Sequence, residues 1–100
     1  MEAERKIYVM AEVRAAAGFA AEVKAACLAL IGPSRLEKGC LSYDLHQAAD
    51  DPNLFVFFES WASPADLERH LESDHAARFD RETEEMLAEE ERITILDRIS

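Results

Sequence analysis

The sequence predicts an α+β domain in the order β-α-β-β-α-β, the ferredoxin-like arrangement, with a four-stranded antiparallel sheet carrying helices on one face. Three observations predict it. Apolar residues alternate with period two in separate runs, the period becomes helical between those runs, and the joints carry glycine, proline and capping serines. At 100 residues the chain is expected to form one domain, residues 1–100.

Residues 6 to 14 alternate, with Ile7, Val9, Ala11 and Val13 on one side and Tyr8, Met10, Glu12 and Arg14 on the other, which reads as a strand. From Phe19 the stripe is helical: Phe19, Val23, Ala26, Cys27, Leu30 and Ile31 align, and Glu22 and Lys24 stand off it. Gly32-Pro33 is expected to interrupt this helix, because proline lacks a backbone donor and its ring crowds the preceding turn. A short helical turn from Ser34 to Lys38 then ends at Gly39, suited to a left-handed cap. Cys40 to Gln47 alternates again, with Leu41, Tyr43 and Leu45 opposed to Ser42, Asp44 and His46. Turn-forming residues from Ala48 to Asn53 join this strand to Leu54–Trp61 as a hairpin with a longer loop.

Ser63-Pro64-Ala65-Asp66 opens the next helix: serine caps, proline takes the first helical position, and the aspartate favours the positive end of the dipole. Leu67, His70 and Leu71 share its inner face. Ser73-Asp74 caps a further helix, roughly 75 to 89, with His75, Phe79, Glu82 or Thr83, Met86 and Leu87 in its stripe. Ile93, Ile95 and Leu96 belong to a last strand near 91 to 99.

Composition narrows the functions. No apolar run approaches the ~20 residues of a bilayer span, and the amino terminus, Met1 to Lys6, lacks the apolar stretch of a secretory leader, so a soluble cytoplasmic protein is expected. Cys27 and Cys40 have no metal-spaced partners and read as small buried thiols. A net charge of −10 with no basic stripe argues against nucleic acid. Glu82, Glu84, Glu85, Glu89, Glu90 and Glu91 read as a solvated helix face.

The third strand is apolar on both sides: Leu54, Val56 and Phe58 point one way, Phe55, Phe57 and Trp61 the other. The chain's own helices cover one face only. Leaving three large side chains wet forfeits several kcal/mol at about 25 cal/mol per Å², so a second copy packed sheet to sheet, a homodimer, is the expected cover.

No phosphate-binding glycine loop, paired-cysteine motif, His-Glu-x-x-His or nucleophile elbow is present. The groups with chemistry to offer are Asp44 and His46 on the second strand, Glu59 and Trp61 on the third, and His70, His75 and Phe79 on the split helix. His70 is a candidate general base, as histidine suits proton transfer near neutral pH, or else a core histidine bonded to a carbonyl. His75 either caps the helix break or takes part in catalysis. Asp44 is either a rim residue or the acid partner of a histidine. Glu59, set in an aromatic row, needs a partner, for which Arg14 or Arg98 would serve. Trp61 and Phe79 fill the core or stack a planar substrate.

The run from Pro33 to Gln47, with Gly39-Cys40-Leu41-Ser42-Tyr43 at its centre, then Asp51-Pro52-Asn53, Phe57-Phe58-Glu59-Ser60-Trp61, Leu67-Glu68-Arg69-His70-Leu71 and Asp74-His75, closely resembles the antibiotic biosynthesis monooxygenase family over nearly the whole chain. The resemblance implies a dimeric α+β barrel. Similar members include quinol monooxygenases, which oxidise polyphenols with dioxygen and use no flavin, metal or haem. Carried onto this sequence, the resemblance implies His70 as base with Asp44 as its orienting partner, and Trp61, Tyr43, Phe79, His75, Glu59 and His46 around a small aromatic substrate. Polyketide-tailoring members carry an asparagine four residues before the tryptophan, a place held here by Phe57. Haem-degrading relatives use an asparagine, a tryptophan and a histidine where this chain has Val13, His70 and Asp80, which argues against haem. A third branch isomerises a small phosphorylated metabolite with an acid and a histidine near Asp44 and His70, and a non-catalytic small-molecule-binding stress protein is the remaining alternative.

Overall fold

The computed structural model describes residues 5–100; the polar lead-in over residues 1–4 lies outside the described residues. The elements are β1 (Ile7–Arg14), α1 (Ala20–Ala29), α2 (Ile31–Arg35), β2 (Cys40–Ala48), β3 (Asp51–Trp61), α3 (Pro64–Leu71), α4 (Asp74–Thr83) and β4 (Arg92–Leu96). The strands form one antiparallel sheet in the order β2-β3-β1-β4, the ferredoxin-like topology. No helix among the described residues is long and apolar enough to cross a membrane.

Strand parity sets the core. Ile7, Val9, Ala11 and Val13 of β1 lie opposite Trp61, Glu59, Phe57 and Phe55 of β3, and all eight are buried under the helices. Val23 and Cys27 of α1, Leu67 of α3 and Phe79 of α4 complete that layer. The opposite face of β3 is uncovered in the single chain, and Phe58 there is 46% exposed.

Five details depart from the sequence reading. The helix break falls at Leu30, ahead of Gly32-Pro33, because Pro33 sits in the first turn of α2, where a helix leaves backbone N–H groups unbonded and a missing donor costs little. The β2–β3 turn contains only Ala49 and Asp50, and Asp51 already belongs to β3, held by an Arg14 ion pair at 2.7 Å. Leu41 does not share the buried face with Tyr43; a register shift between Cys40 and Ser42 leaves it half-exposed. Helix α4 ends at Thr83 rather than near 89, consistent with repulsion among the glutamates that follow at helical spacing. Glu82 still belongs to α4, and the glutamates after Thr83 lie outside any helix, in a segment tied to the end of β1 where the Ala16 N–H donates to the Met86 carbonyl and the Ala88 N–H to the Arg14 carbonyl, both at 2.8 Å. The last strand is correspondingly short, Arg92–Leu96.

Candidate functional site

Two serines build the frame of the site. Ser63 caps α3 by accepting the Asp66 N–H, with Pro64 in the first turn. Ser73 donates to the His70 carbonyl at 2.7 Å and accepts the Ala76 N–H at 3.2 Å, so one hydroxyl closes α3 and opens α4. His70 thus ends one helix and His75 begins the next.

Facing them is Glu37, in the turn between α2 and β2. Its Oε2 accepts from His70 Nδ1 at 2.6 Å and from His75 Nε2 at 2.7 Å. Gly39 makes this approach possible. It adopts φ +84°, and any β-carbon there would overlap the Asp66 carboxyl, so only glycine lets the turn lie against the start of α3.

The His70 ring lies tilted against the Trp61 indole, with centroids 4.8 Å and planes 33° apart, and edge-on to Tyr43 at 5.4 Å. A carboxylate only accepts, so its two bonds place a hydrogen on His70 Nδ1, and in the neutral form of that ring Nε2 keeps a lone pair. That tautomer, fixed by a carboxylate against an aromatic wall, suits proton abstraction.

Beside this cluster, Trp61 Nε1 donates to Glu59 at 3.0 Å. Burial pushes the Glu59 carboxyl up to about 7; the indole bond opposes the shift, and Glu91 and Glu37 add to it. Burial drives Glu91 likewise to about 7, with Asp80 contributing. Burial raises the Tyr43 phenol, helped by Glu59, and drives the Cys27 thiol to about 12, too high for a thiolate nucleophile. The half-buried Glu91 adds, after burial, to the upward shifts of Glu59, Tyr43 and Cys27 alike. Between the acidic segment and α4 lies an open groove of about 570 Å³ lined by Phe79, Thr83 and Leu87 and by the acidic Asp80, Glu84, Glu89, Glu90 and Glu91.

The structure brings Tyr43, Trp61, Glu59, His70 and His75 together and places Phe79 on the neighbouring groove. It separates two of the expected residues. Asp44 is not the partner of His70: it lies on the outer sheet face and accepts from Arg35 at 3.0 Å, because residues 43 and 44 of a strand point to opposite sides. His46 shares that outer face, where it meets Phe58 edge-on at 5.4 Å. Nor does Glu59 pair with an arginine, since Arg14 holds Asp51 and Arg98 Nε donates to the Ser100 carbonyl. Glu37, which does hold His70, stands 33 residues away in a turn with no periodicity to mark it.

A family model described as antibiotic biosynthesis monooxygenase matches residues 6–82. The chain belongs to that family. It is similar to PA3566 of Pseudomonas aeruginosa, whose crystal structure superposes with a TM-score of 0.91 at 38% identity over 100% of both chains. The structure of Rv0793 from Mycobacterium tuberculosis gives a TM-score of 0.88 at 29% identity, covering 95% of this chain and 96% of that one. By sequence, Rv0793 is 38% identical over 68 residues, which is 68% of this chain and 66% of the relative. Protein sll1783 of Synechocystis is 35% identical over 65 residues, 65% of this chain but only 44% of the relative. The aligned stretches thus span less than two thirds of these two relatives.

Proposed function

We propose that this chain is a cofactor-independent monooxygenase that oxidises a quinol or related polyphenol with dioxygen, using His70 as the base. The observation that carries the reading is the Glu37–His70 hydrogen bond, which in the neutral ring leaves the Nε2 lone pair free beside Trp61. Nε2 takes a hydroxyl proton, and the electron-rich quinolate passes an electron to dioxygen; the two radicals recombine at ring carbon. One oxygen atom stays on the ring as hydroxyl and the other leaves as water, so that a hydroquinone and dioxygen become a hydroxyquinone and water. The substrate supplies every electron. The protein's part is to hold the base, orient the ring and exclude bulk water.

In this reading the groove beside Phe79 and Glu91 is the proposed entry to the substrate space, since His70, Tyr43 and Trp61 do not line the groove itself. The working unit is a homodimer, with a second copy covering the apolar outer face around Phe58 and Leu96. The test is dioxygen uptake by purified protein with a panel of menadiol-like quinols and no added cofactor, with chelator present. Uptake that falls on the order of 10²-fold or more in His70→Ala supports the reading. No uptake across the panel, or undiminished turnover without dioxygen, overturns it.

A further inference from the structure

A metal ion is held where several donor atoms converge on one point, and three converge here, two of them ring nitrogens whose shared protons an ion would displace. Glu37 Oε2, His70 Nδ1 and His75 Nε2 lie within 4.8 Å of one another, with both nitrogens against the same oxygen. We infer that Glu37, His70 and His75 form a binding site for one first-row divalent cation such as zinc, cobalt(II) or iron(II), with the remaining coordination positions left to water.

The donor set selects the ion. Two imidazoles and one carboxylate suit borderline transition metals, whereas magnesium and calcium prefer oxygen throughout. The geometry is within reach. Bonds of about 2.1 Å at tetrahedral or octahedral angles put donor atoms about 3.0 to 3.4 Å apart. The observed 2.6 and 2.7 Å oxygen–nitrogen separations need to open by a few tenths of an ångström as the ion replaces the two shared protons, and the two nitrogens, within 4.8 Å of each other, settle at about 3.0 to 3.4 Å.

Each ligand is also held by something other than its neighbour. Gly39 fixes the turn that carries Glu37, and Ser73 fixes the junction that carries both histidines. Trp61 and Tyr43 wall in the His70 ring. Such outer support is what keeps metal ligands aimed. Access comes from the side of Glu37 and His75, whose side chains are 15% and 17% exposed against 6% for His70. A net charge of −10 favours a cation's approach.

Coordination has a consequence for the base. A metal on His70 Nδ1 leaves the neutral ring's one proton on Nε2, so the lone pair assigned to catalysis is lost and the ion acts as an inhibitor. That step alone rests on the proposed function; binding does not.

The test is titration of chelator-stripped protein with zinc by calorimetry, and with cobalt(II) by visible absorbance, without quinol. One ion per chain is expected, with affinity falling on the order of 10²-fold in Glu37→Gln and in His75→Ala and unchanged in His46→Ala. On the wild-type protein, histidine side-chain nitrogen resonances provide a second readout that needs no variant: zinc should shift His70 Nδ1 and His75 Nε2. Absence of binding, equal affinity in folded Glu37→Gln and His75→Ala, or zinc-induced shifts confined to His46 would overturn the inference. Oxygen uptake in the presence of chelator tests the oxidation separately, so either idea can fail alone.

Discussion

One oxygen of Glu37 holds two imidazoles, His70 at 2.6 Å and His75 at 2.7 Å, with ring centroids 5.8 Å apart. Replacing the carboxylate by an amide keeps the shape but removes the charge that strengthens both bonds. For the proposed oxidation, Glu37→Gln is expected to lower oxygen uptake by about 100-fold, the low end of the range for general-base catalysis. A folded variant with full turnover would show that Glu37 does not position the base.

Glu59 makes the fold's stability pH-dependent. Its carboxyl is raised from the ordinary 4.5 to about 7 in the folded chain, so between those values the folded state binds more protons than the unfolded state. Stability is therefore greatest below about 4.5 in this contribution and is lost as pH rises through about 7. The loss is on the order of 3 to 4 kcal/mol at most, taking about 1.4 kcal/mol per unit over the rise from 4.5 to about 7. Glu59→Gln keeps an acceptor for Trp61 Nε1 and removes the titrating group. Denaturant unfolding from pH 5 to 8 should show a flatter profile in the variant, with the variant more stable at pH 8; parallel profiles would contradict the prediction.

Gly39→Ala combines a left-handed backbone with a β-carbon that collides with the Asp66 carboxyl. The conformational part costs about 1 kcal/mol, and displacing Asp66 from Arg69 and Ser63 adds to it, for a total on the order of 2 to 4 kcal/mol. Thermal unfolding should shift down by about 10 °C or more in a chain of this size. An unchanged Tm would mean that the turn can retreat from α3 without penalty.

The outer sheet face provides a fourth test. Phe58 is 46% exposed and stands beside His46, with Ser42 and Ser60 hydrogen-bonded at 2.6 Å on the same face. Phe58→Lys places a charge where the proposed homodimer buries an aromatic ring. Sedimentation should find two chains together in the wild type and one in the variant; a wild-type protein that stays single at high concentration removes the dimer from the proposal.

Much of the fold was readable because periodicity is local. The alternation in β1, the aromatic row Phe55, Phe57, Glu59 and Trp61, and the caps Ser63 and Ser73 each follow from neighbours within a few residues, and each appears as expected. The candidate site was readable only in part. Strand parity already set Asp44 opposite Tyr43, so both could not line one site, and the pairing of Asp44 with His70 went against that constraint. Glu37 meets His70 through the packing of a turn on a helix junction, a long-range relation that no local pattern encodes. The ends of α4 and of the β2–β3 turn were misplaced where repulsion among glutamates and a register shift override local preference.

The interruption between α3 and α4 has an angular meaning. Around an uninterrupted α-helix, positions five apart diverge by about 140°, since each residue turns about 100°. Residues 70 and 75 would then look in widely different directions, and no single group would touch both. By restarting the spiral at Ser73, the chain resets the azimuth and aims two rings at one oxygen. Mutations that heal the kink into a smooth rod would make a better helix and dismantle the cluster, so local regularity and function pull in opposite directions at this joint.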